Sequence, residues 1–306
     1  MLRNLIAGWF AVTIVVGTVS AQVQVDSVFD TRVPDPRFAH GTGPVVLIDE
    51  AHNNAHTLRG RYAPFARVLR NDGFRVESLK AQITGEVLNG AALVVIANAS
   101  ASNSPPKTNF PVVSAFSQEE IATLTRWVEE GGSLLLIADH APWGGAAEDL
   151  AKAFGVLFSN GYAMREPGKF ENFVFRTVDG TLIEHAITRG RRRSERVDAV
   201  VTFTGQAFRA PALHPVLRIP EGVSLFLPER AGELNSATPR VDASAMVQAA
   251  VGTYGRGRLG VFGEAAMFSA QLLGPSREPL GMNHPAATQN KQFLLNVAHW
   301  LVGELR

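Results

Sequence analysis

One uninterrupted apolar segment, within residues 131–140 (GGSLLLIADH), constrains the fold of this chain more than any other stretch. Its core, residues 134–138, follows a pair of glycines and contains no polar residue. So short an apolar run predicts a β-strand buried on both faces, as in a parallel sheet covered by helices. The strand ends at Asp139 and His140. Because ligands of open parallel sheets bind beyond the carboxyl ends of the strands, the segment predicts both a core strand and a site.

Other segments repeat this pattern along the chain. Residues 45–48 and 93–97 are further short apolar runs, and residues 259–262 form a fourth. Residues 117–120 (SQEE) match a capping box, which predicts a helix that begins there. Strands that alternate with helices predict an α/β fold with a parallel sheet and helices on both faces.

The chain divides into four parts on composition. Residues 1–21 are predicted to be a signal peptide, because Arg3 precedes a mostly apolar stretch and residues 19–21 (VSA) match a cleavage site. Residues 22–43 are predicted to be an extended lead-in. Short alternating segments separated by prolines predict a β-rich insertion over 157–244. The α/β domain then comprises 44–156 and 245–303, and residues 270–289 within it are predicted to form a loop.

Composition limits the environment and the partners of the protein. The 306 residues contain no Cys, which excludes disulfides and a lipoprotein anchor. The apolar stretch near the start is too short for a typical membrane span of ~20 residues, so we expect export to the periplasm or beyond with no stable membrane anchor after cleavage. The formal charge is +1 and falls to about zero when Arg3 is removed, which argues against nucleic-acid binding.

Titratable residues follow three of the predicted strands and should meet at one edge of the sheet. We predict catalytic roles for Asp139, His140, Glu264 and His52, because an imidazole beside a carboxylate can serve in acid–base catalysis. The same four residues are candidate ligands of a divalent metal, although no sequence feature requires a cofactor. Residues predicted to contribute to binding a small polar substrate or glycan are Glu50, Asn53, Asn98 and His284.

Each of these residues also has a structural interpretation. Asp139 could cap the next turn, and His140 could satisfy buried backbone groups. The motifs of several enzyme classes are missing: the sequence has no Gly-x-Ser-x-Gly elbow, no Walker loop and no glycine-rich dinucleotide fingerprint after the first strand. A standard α/β-hydrolase and an ATP- or dinucleotide-dependent enzyme are therefore disfavoured.

Four segments carry a family resemblance: residues 49–53 (DEAHN), 131–140, 263–269 (GEAAMFS) and 290–301 (NKQFLLNVAHWL). Together they resemble exported bacterial proteins of the class I glutamine amidotransferase-like superfamily. The resemblance covers about residues 44–156 and 245–303, and it implies a flavodoxin-like three-layer fold with a parallel sheet. Active amidotransferases of that superfamily carry a Cys after a central strand, where this chain has Asp139 and His140. The resemblance therefore implies that glutaminase chemistry is absent.

Two functions remain open at this point. The first is an exported hydrolase that acts on a polar extracytoplasmic substrate, either a carbohydrate or a peptide, through Asp139, His140, Glu264 and His52. The second is a non-catalytic module that binds a ligand or supports an assembly, since the superfamily includes catalytically silent members.

Overall fold

The computed structural model describes residues 23–101 and 110–306, which form a mixed α/β fold built on a seven-stranded sheet. The order across this sheet is β3-β2-β4-β5-β13-β12-β9. Its strands are β2 (Val45–Asp49), β3 (Arg75–Leu79), β4 (Ala91–Ala97), β5 (Ser133–Ile137), β9 (His214–Arg218), β12 (Val247–Tyr254) and β13 (Gly257–Phe262). The predicted signal peptide lies outside the described residues.

The first five strands in this order are parallel, and β5 lies at the centre of the seven-stranded sheet. Every residue of β5 is buried, as expected for an apolar run without a polar residue. Leu135 and Ile137 join an apolar cluster that includes residues of α1 (Ala63–Asn71) and α6 (Asn290–Leu301). Leu134 and Leu136 join a second cluster, with residues of α2 (Gln118–Glu129) and α4 (Glu148–Ala153). The strand therefore contributes alternate side chains to two separate cores.

The sheet is not parallel throughout, which corrects the prediction of a purely parallel sheet. Strand β12 pairs with β13 antiparallel, and β9 pairs with β12 antiparallel. The connection between β12 and β13 explains the first reversal, since consecutive strands joined by a tight turn at Gly255 can only run in opposite directions. Strand β9 belongs to the predicted insertion by sequence, yet it forms one border of the main sheet.

Three smaller sheets surround the main one. Strands β6 (Tyr162–Met164), β10 (Ser224–Phe226) and β11 (Arg240–Asp242) form one of them, and β7 (Asn172–Arg176) pairs with β8 (Ala199–Phe203) in another. These strands lie within 157–244, as expected of a β-rich segment. Two further short helices are α3 (Trp143–Ala146) and α5 (Ala186–Arg189).

The third small sheet contains parts of two segments that were predicted to be irregular, the lead-in 22–43 and the loop 270–289. It consists of β1 (Val23–Val25), β14 (Ala270–Leu273) and β15 (Glu278–Gly281), in the order β1-β14-β15. The prediction of a loop over 270–289 is therefore wrong for its first half, which forms a hairpin. In the described part of the chain, no helix has the length and apolar character needed to cross a bilayer.

Candidate functional site

The carboxyl ends of three adjacent parallel strands place polar side chains at one edge of the sheet. Asn98 follows β4, Asp139 lies two residues beyond β5, and Glu264 lies two residues beyond β13. In register, Ile137 of β5 is flanked by Ala97 and Phe262, which fixes the neighbouring strand ends side by side. All three polar residues line a cavity of about 600 Å³. The prediction that Asp139 and Glu264 face a common site agrees with this geometry.

Asp139 and His140 form a titratable pair in this cavity. The backbone amide of His140 donates to Asp139 Oδ1 at 2.7 Å, and His140 Nε2 lies 3.9 Å from the same oxygen. His140 Nδ1 donates to the carbonyl oxygen of Ala141 at 2.9 Å. A carbonyl can only accept, so Nδ1 carries the proton and Nε2 of the neutral ring keeps a free lone pair. His140 therefore offers a proton acceptor to the cavity.

Glu264 lies at the cavity wall but is itself fully buried. Its carboxyl oxygens accept the backbone amides of Ala266 at 2.6 Å and Met267 at 2.8 Å, which stabilises the 3-10 helix Ala266–Phe268. Burial and then the negative charge of Asp139 raise the pKa of Glu264 well above its ordinary value, against the opposing effect of the backbone amides. The nearby charge of Asp139 therefore disfavours a second negative charge on Glu264.

Aromatic rings cover one side of the cavity around His140. The His140 ring stacks on Tyr162, with centroids 4.5 Å apart and an interplanar angle of 19°. Trp143 and Phe170 lie at 5.2 and 6.3 Å from the His140 ring, and Phe170 is 63% exposed. The Tyr162 hydroxyl donates to the carbonyl of Ala141, which also accepts from His140. These contacts fix the orientation of the His140 ring.

His56 and Arg61 also line the cavity, although neither was predicted as a site residue. Burial, and then the charge of Arg61, lower the pKa of His56 to about 3, so this imidazole is neutral. Asp139 exerts an electrostatic effect on Arg61 without forming an ion pair within 4 Å. The sequence could have indicated His56 as a site residue, because it lies in the polar loop 49–56. The sequence around Arg61 contains no motif that would have indicated its position.

His52 does not reach the cavity. Its Nδ1 contacts both carboxylate oxygens of Asp49 at 2.9–3.0 Å, and its Nε2 contacts Glu120 Oε1 at 3.0 Å. The side chains of all three residues are buried. The structure therefore does not bring His52 to Asp139, His140 and Glu264, because two carboxylates hold it against helix α2 instead.

The residues predicted to contribute to binding are divided between the cavity and its surroundings. His284 lines the cavity, where its Nε2 lies 3.3 Å from Asn172 Nδ2. Glu50 lies elsewhere, and its carboxylate accepts the Leu58 amide at 2.7 Å and the Ser78 hydroxyl. Asn53 is exposed, adopts a φ of 47° and donates to the Ser100 carbonyl at 3.2 Å. Asn98 and His284 thus remain candidates for ligand contact.

The predicted set of metal ligands is not assembled. His52 is separated from the cavity by its contacts with Asp49 and Glu120. Across residues 23–101 and 110–306, no three His, Cys, Asp or Glu side chains gather in an arrangement that could hold a metal ion.

Comparisons with known proteins identify the fold and not the activity. Searches against protein families and against curated proteins found no match. Among solved structures, the mmIFT52 N-terminal domain is similar over 84% of this chain and 97% of its own, with 16% identity and a TM-score of 0.57. A ThuA-like protein from Bacteroides uniformis ATCC 8492 matches over 90% of this chain and 95% of its own, with 13% identity and a TM-score of 0.45. A cytoplasmic protein from Salmonella typhimurium LT2 matches over 85% and 99%, with 15% identity and a TM-score of 0.48. The first of these similarities supports a common α/β fold.

Proposed function

We propose that this protein is a hydrolase that acts on a small polar substrate, with His140 as the general base. The observation that carries the proposal is the placement of His140, whose Nδ1 bonds to the Ala141 carbonyl and whose Nε2 lies 3.9 Å from Asp139 Oδ1, in a cavity large enough for a small ligand. In this mechanism Nε2 accepts a proton from a water molecule as the water oxygen attacks the substrate, and the imidazolium then gives this proton to the leaving group as its bond to the substrate breaks. The Asp139 carboxylate then stabilises the imidazolium that forms.

Glu264 is a positioning residue in this scheme. It is fully buried, and it holds the turn whose Ala265 amide lies 3.4 Å from Asp139 Oδ2. Burial and the neighbouring Asp139 raise its pKa, so a second negative charge beside Asp139 is disfavoured. This arrangement leaves Asp139 and His140 as the groups that would touch the water or the substrate.

The aromatic wall favours a carbohydrate over a peptide as the substrate. His140, Trp143 and Phe170 present apolar ring surface beside the polar groups of Asn98 and Asp139. A sugar combines hydroxyl groups with apolar C–H faces, so it can use both kinds of surface at once. The substrate would be extracytoplasmic, because residues 1–21 have the pattern of a cleavable signal peptide.

The relationship to the class I glutamine amidotransferase-like superfamily, with its flavodoxin-like three-layer core, belongs to the same proposal. Five adjacent parallel strands support it. So does the division of β5 side chains between one cluster that contains α1 and α6 and another that contains α2 and α4. The absence of Cys from the sequence separates this chain from the glutaminases of that superfamily.

The test is hydrolysis of a panel of aryl glycosides and peptides by wild type and by three variants. We expect His140→Ala and Asp139→Asn to lower kcat/KM by about 100-fold or more on any substrate that wild type cleaves, since general acid–base groups contribute that much. His40→Gln is the matched control, because His40 is exposed and does not line the cavity. Full activity of His140→Ala would exclude the assigned role.

A non-catalytic binding module is the second candidate. It is favoured by one observation: both carboxyl oxygens of Glu264 and the Nδ1 of His140 already have backbone partners. Such a module would bind a glycan or peptide from the same panel without cleaving it, and its affinity would not depend on the proton acceptor of His140.

A further inference from the structure

Three hydrogen-bond donors in the cavity wall have no partner in the described part of the chain. Arg61 makes no hydrogen bond or ion pair with any residue in 23–101 or 110–306 and is only partly exposed. His56 Nε2 and the indole Nε1 of Trp143 are buried atoms that have no hydrogen-bond partner among the same described residues. Buried polar groups are nearly always paired, so three unpaired donors around one cavity require an explanation.

The hydrogen bonds around Asn98 show that His56 Nε2 is a donor. Asn98 Oδ1 accepts the backbone amide of Asp139 at 2.9 Å, which fixes the orientation of the Asn98 amide. Its Nδ2 group therefore faces His56 Nδ1, at 3.4 Å, and can only donate. With Nδ1 accepting, the proton of the neutral imidazole resides on Nε2. His56 is 3% exposed, packs against Tyr62 and lines the cavity wall.

Arg61 provides the charge that is missing from this donor set. Its guanidinium lies close enough to His56 to lower the pKa of that imidazole, and close enough to Asp139 to be stabilised by the carboxylate. Asp139 is nevertheless more than 4 Å away, so Arg61 retains its full set of donors. A partly buried guanidinium without an acceptor is unfavourable, and an anionic ligand would remove that cost.

We propose that Arg61 and His56 form an anion subsite that binds a carboxylate group of the ligand, with Trp143 as an additional donor. This inference rests on the proposed function for the location of the site, and it adds a charge to the substrate. The planar fork of an Arg guanidinium matches a carboxylate in two parallel hydrogen bonds. Asp139 repels an anion, so the carboxylate lies on the Arg61 side and the uncharged part of the ligand on the side of His140. The ligand class is thus an acidic sugar or a peptide carboxylate.

The test compares matched pairs of ligands that differ in one carboxylate. Binding of D-glucuronate and D-glucose, and of N-acetylglycine and N-acetylglycinamide, is measured by NMR titration of the purified protein. We expect at least one acid to bind ~10-fold more tightly than its neutral partner, because its carboxylate forms charged hydrogen bonds that the neutral partner lacks. Preference for glucuronate identifies a sugar acid, and preference for N-acetylglycine a peptide carboxylate. Equal affinities within both pairs, or no binding of either acid, would refute the subsite.

Variants of Arg61 and His56 then test whether these two residues cause the preference for the acid. Arg61→Gln should abolish the preference for the acid and leave binding of the neutral partner unchanged, and Arg61→Lys should keep part of the preference. His56→Phe, which preserves the ring that packs against Tyr62, should weaken binding of the acid a few-fold. Arg59→Gln is the matched control, because Arg59 is exposed, does not line the cavity and is two residues from Arg61. An unchanged preference in Arg61→Gln would contradict the proposal.

The readouts distinguish this inference from the proposed function. Binding of an acid that depends on Arg61, without hydrolysis of any substrate, would support the subsite and refute the hydrolase. Hydrolysis of neutral substrates that depends on His140 and not on Arg61 would support the hydrolase and refute the subsite.

Discussion

His52 is a buried imidazole that lies between two carboxylates. Burial lowers its pKa, but the hydrogen bonds and charges of Asp49 and Glu120 outweigh that effect, and the net shift is upward from 6.5. Burial raises the pKa of Glu120, but bonds from the amides of Ser117 and Ile83 and from His52 produce a net decrease from 4.5. The charged pair thus joins the loop after β2 to helix α2.

The pH dependence of stability follows from the signs of these shifts. A raised pKa in the folded state stabilises the protein below pH 6.5, and this contribution is lost as the pH rises through the folded pKa of His52. A lowered pKa stabilises it above pH 4.5, and this contribution is lost as the pH falls through the folded pKa of Glu120. The pair therefore contributes most between about pH 4.5 and 6.5.

We expect His52→Gln to lower the free energy of unfolding by about 3 kcal/mol at pH 6, because it leaves two buried carboxylates without a cation. The difference from wild type should shrink as the pH rises, since wild type itself loses the charge. Urea unfolding at several pH values measures this, with His40→Gln as the exposed control. A difference that stays constant from pH 6 to pH 9 would show that His52 acts through packing alone.

The position of His52 could not be read from the sequence. Asp139 lies at the sheet edge because it closely follows a strand, so its position depends only on strand direction. His52 lies farther along a loop in which Asn53 takes a positive φ, and its partner Glu120 is 68 residues away. A local pattern cannot indicate a contact of that kind, and the same applies to Arg61.

At the scale of elements, the capping box of α2 is the clearest signal that the sequence contains. The structure has both of its bonds: the Glu120 amide donates to Ser117 Oγ at 3.2 Å, and the Ser117 amide donates to Glu120 Oε2 at 3.0 Å. The other carboxylate oxygen of Glu120 accepts from the Ile83 amide and contacts His52. The Glu120 side chain therefore caps the first turn of α2 and also contacts two loops.

We expect Ser117→Ala to lower the free energy of unfolding by about 1 kcal/mol, the usual effect of removing an N-cap side chain. The loss should not depend on pH between 6 and 8, because the serine hydroxyl does not titrate. Urea unfolding again provides the measurement. Ser236→Ala, at an exposed loop position, is the control and should match wild type; an equal loss in both variants would contradict the role of the cap.

The hairpin of β14 and β15 shows which elements local patterns miss. Gly274, Pro275 and Pro279 suggested a loop, since glycine and proline interrupt regular structure. The hairpin instead pairs through Ala270–Leu273 with β1, from the other end of the described chain. Pairing over such a separation stabilises strands that have little intrinsic preference for the conformation.

For the molecule as a whole, the buried parallel strands should be the most stable region. Strand β5 has buried residues throughout and parallel partners on both sides, whereas β15 is largely exposed. We expect amides of 133–137 to exchange with solvent only on global unfolding, and amides of the sheet β1-β14-β15 to exchange much earlier. Hydrogen exchange followed by mass spectrometry measures both. Equal protection of the two sheets would mean that they unfold as one unit.

The expected difference in stability between the two sheets affects the cavity. Val23, Leu273 and Glu278 belong to the sheet β1-β14-β15, and they line the cavity wall. The opposite wall comes from the strand ends of the main sheet. A ligand would therefore be bound between a rigid side and a more mobile one, which is common for binding sites.

Both borders of the seven-stranded sheet carry features that discourage association between molecules. Arg75 and Glu77 of β3 are exposed at one border. At the other, Pro215 lies within β9, and residues 181–183 cover this strand: the Ile183 amide donates to the Val216 carbonyl, and the Arg218 amide donates to the Thr181 carbonyl. Charges, a proline and a covering segment are the devices that keep open edges from recruiting further strands. We therefore expect the protein to resist fibre formation by addition of strands to the sheet, even under crowded or concentrated conditions.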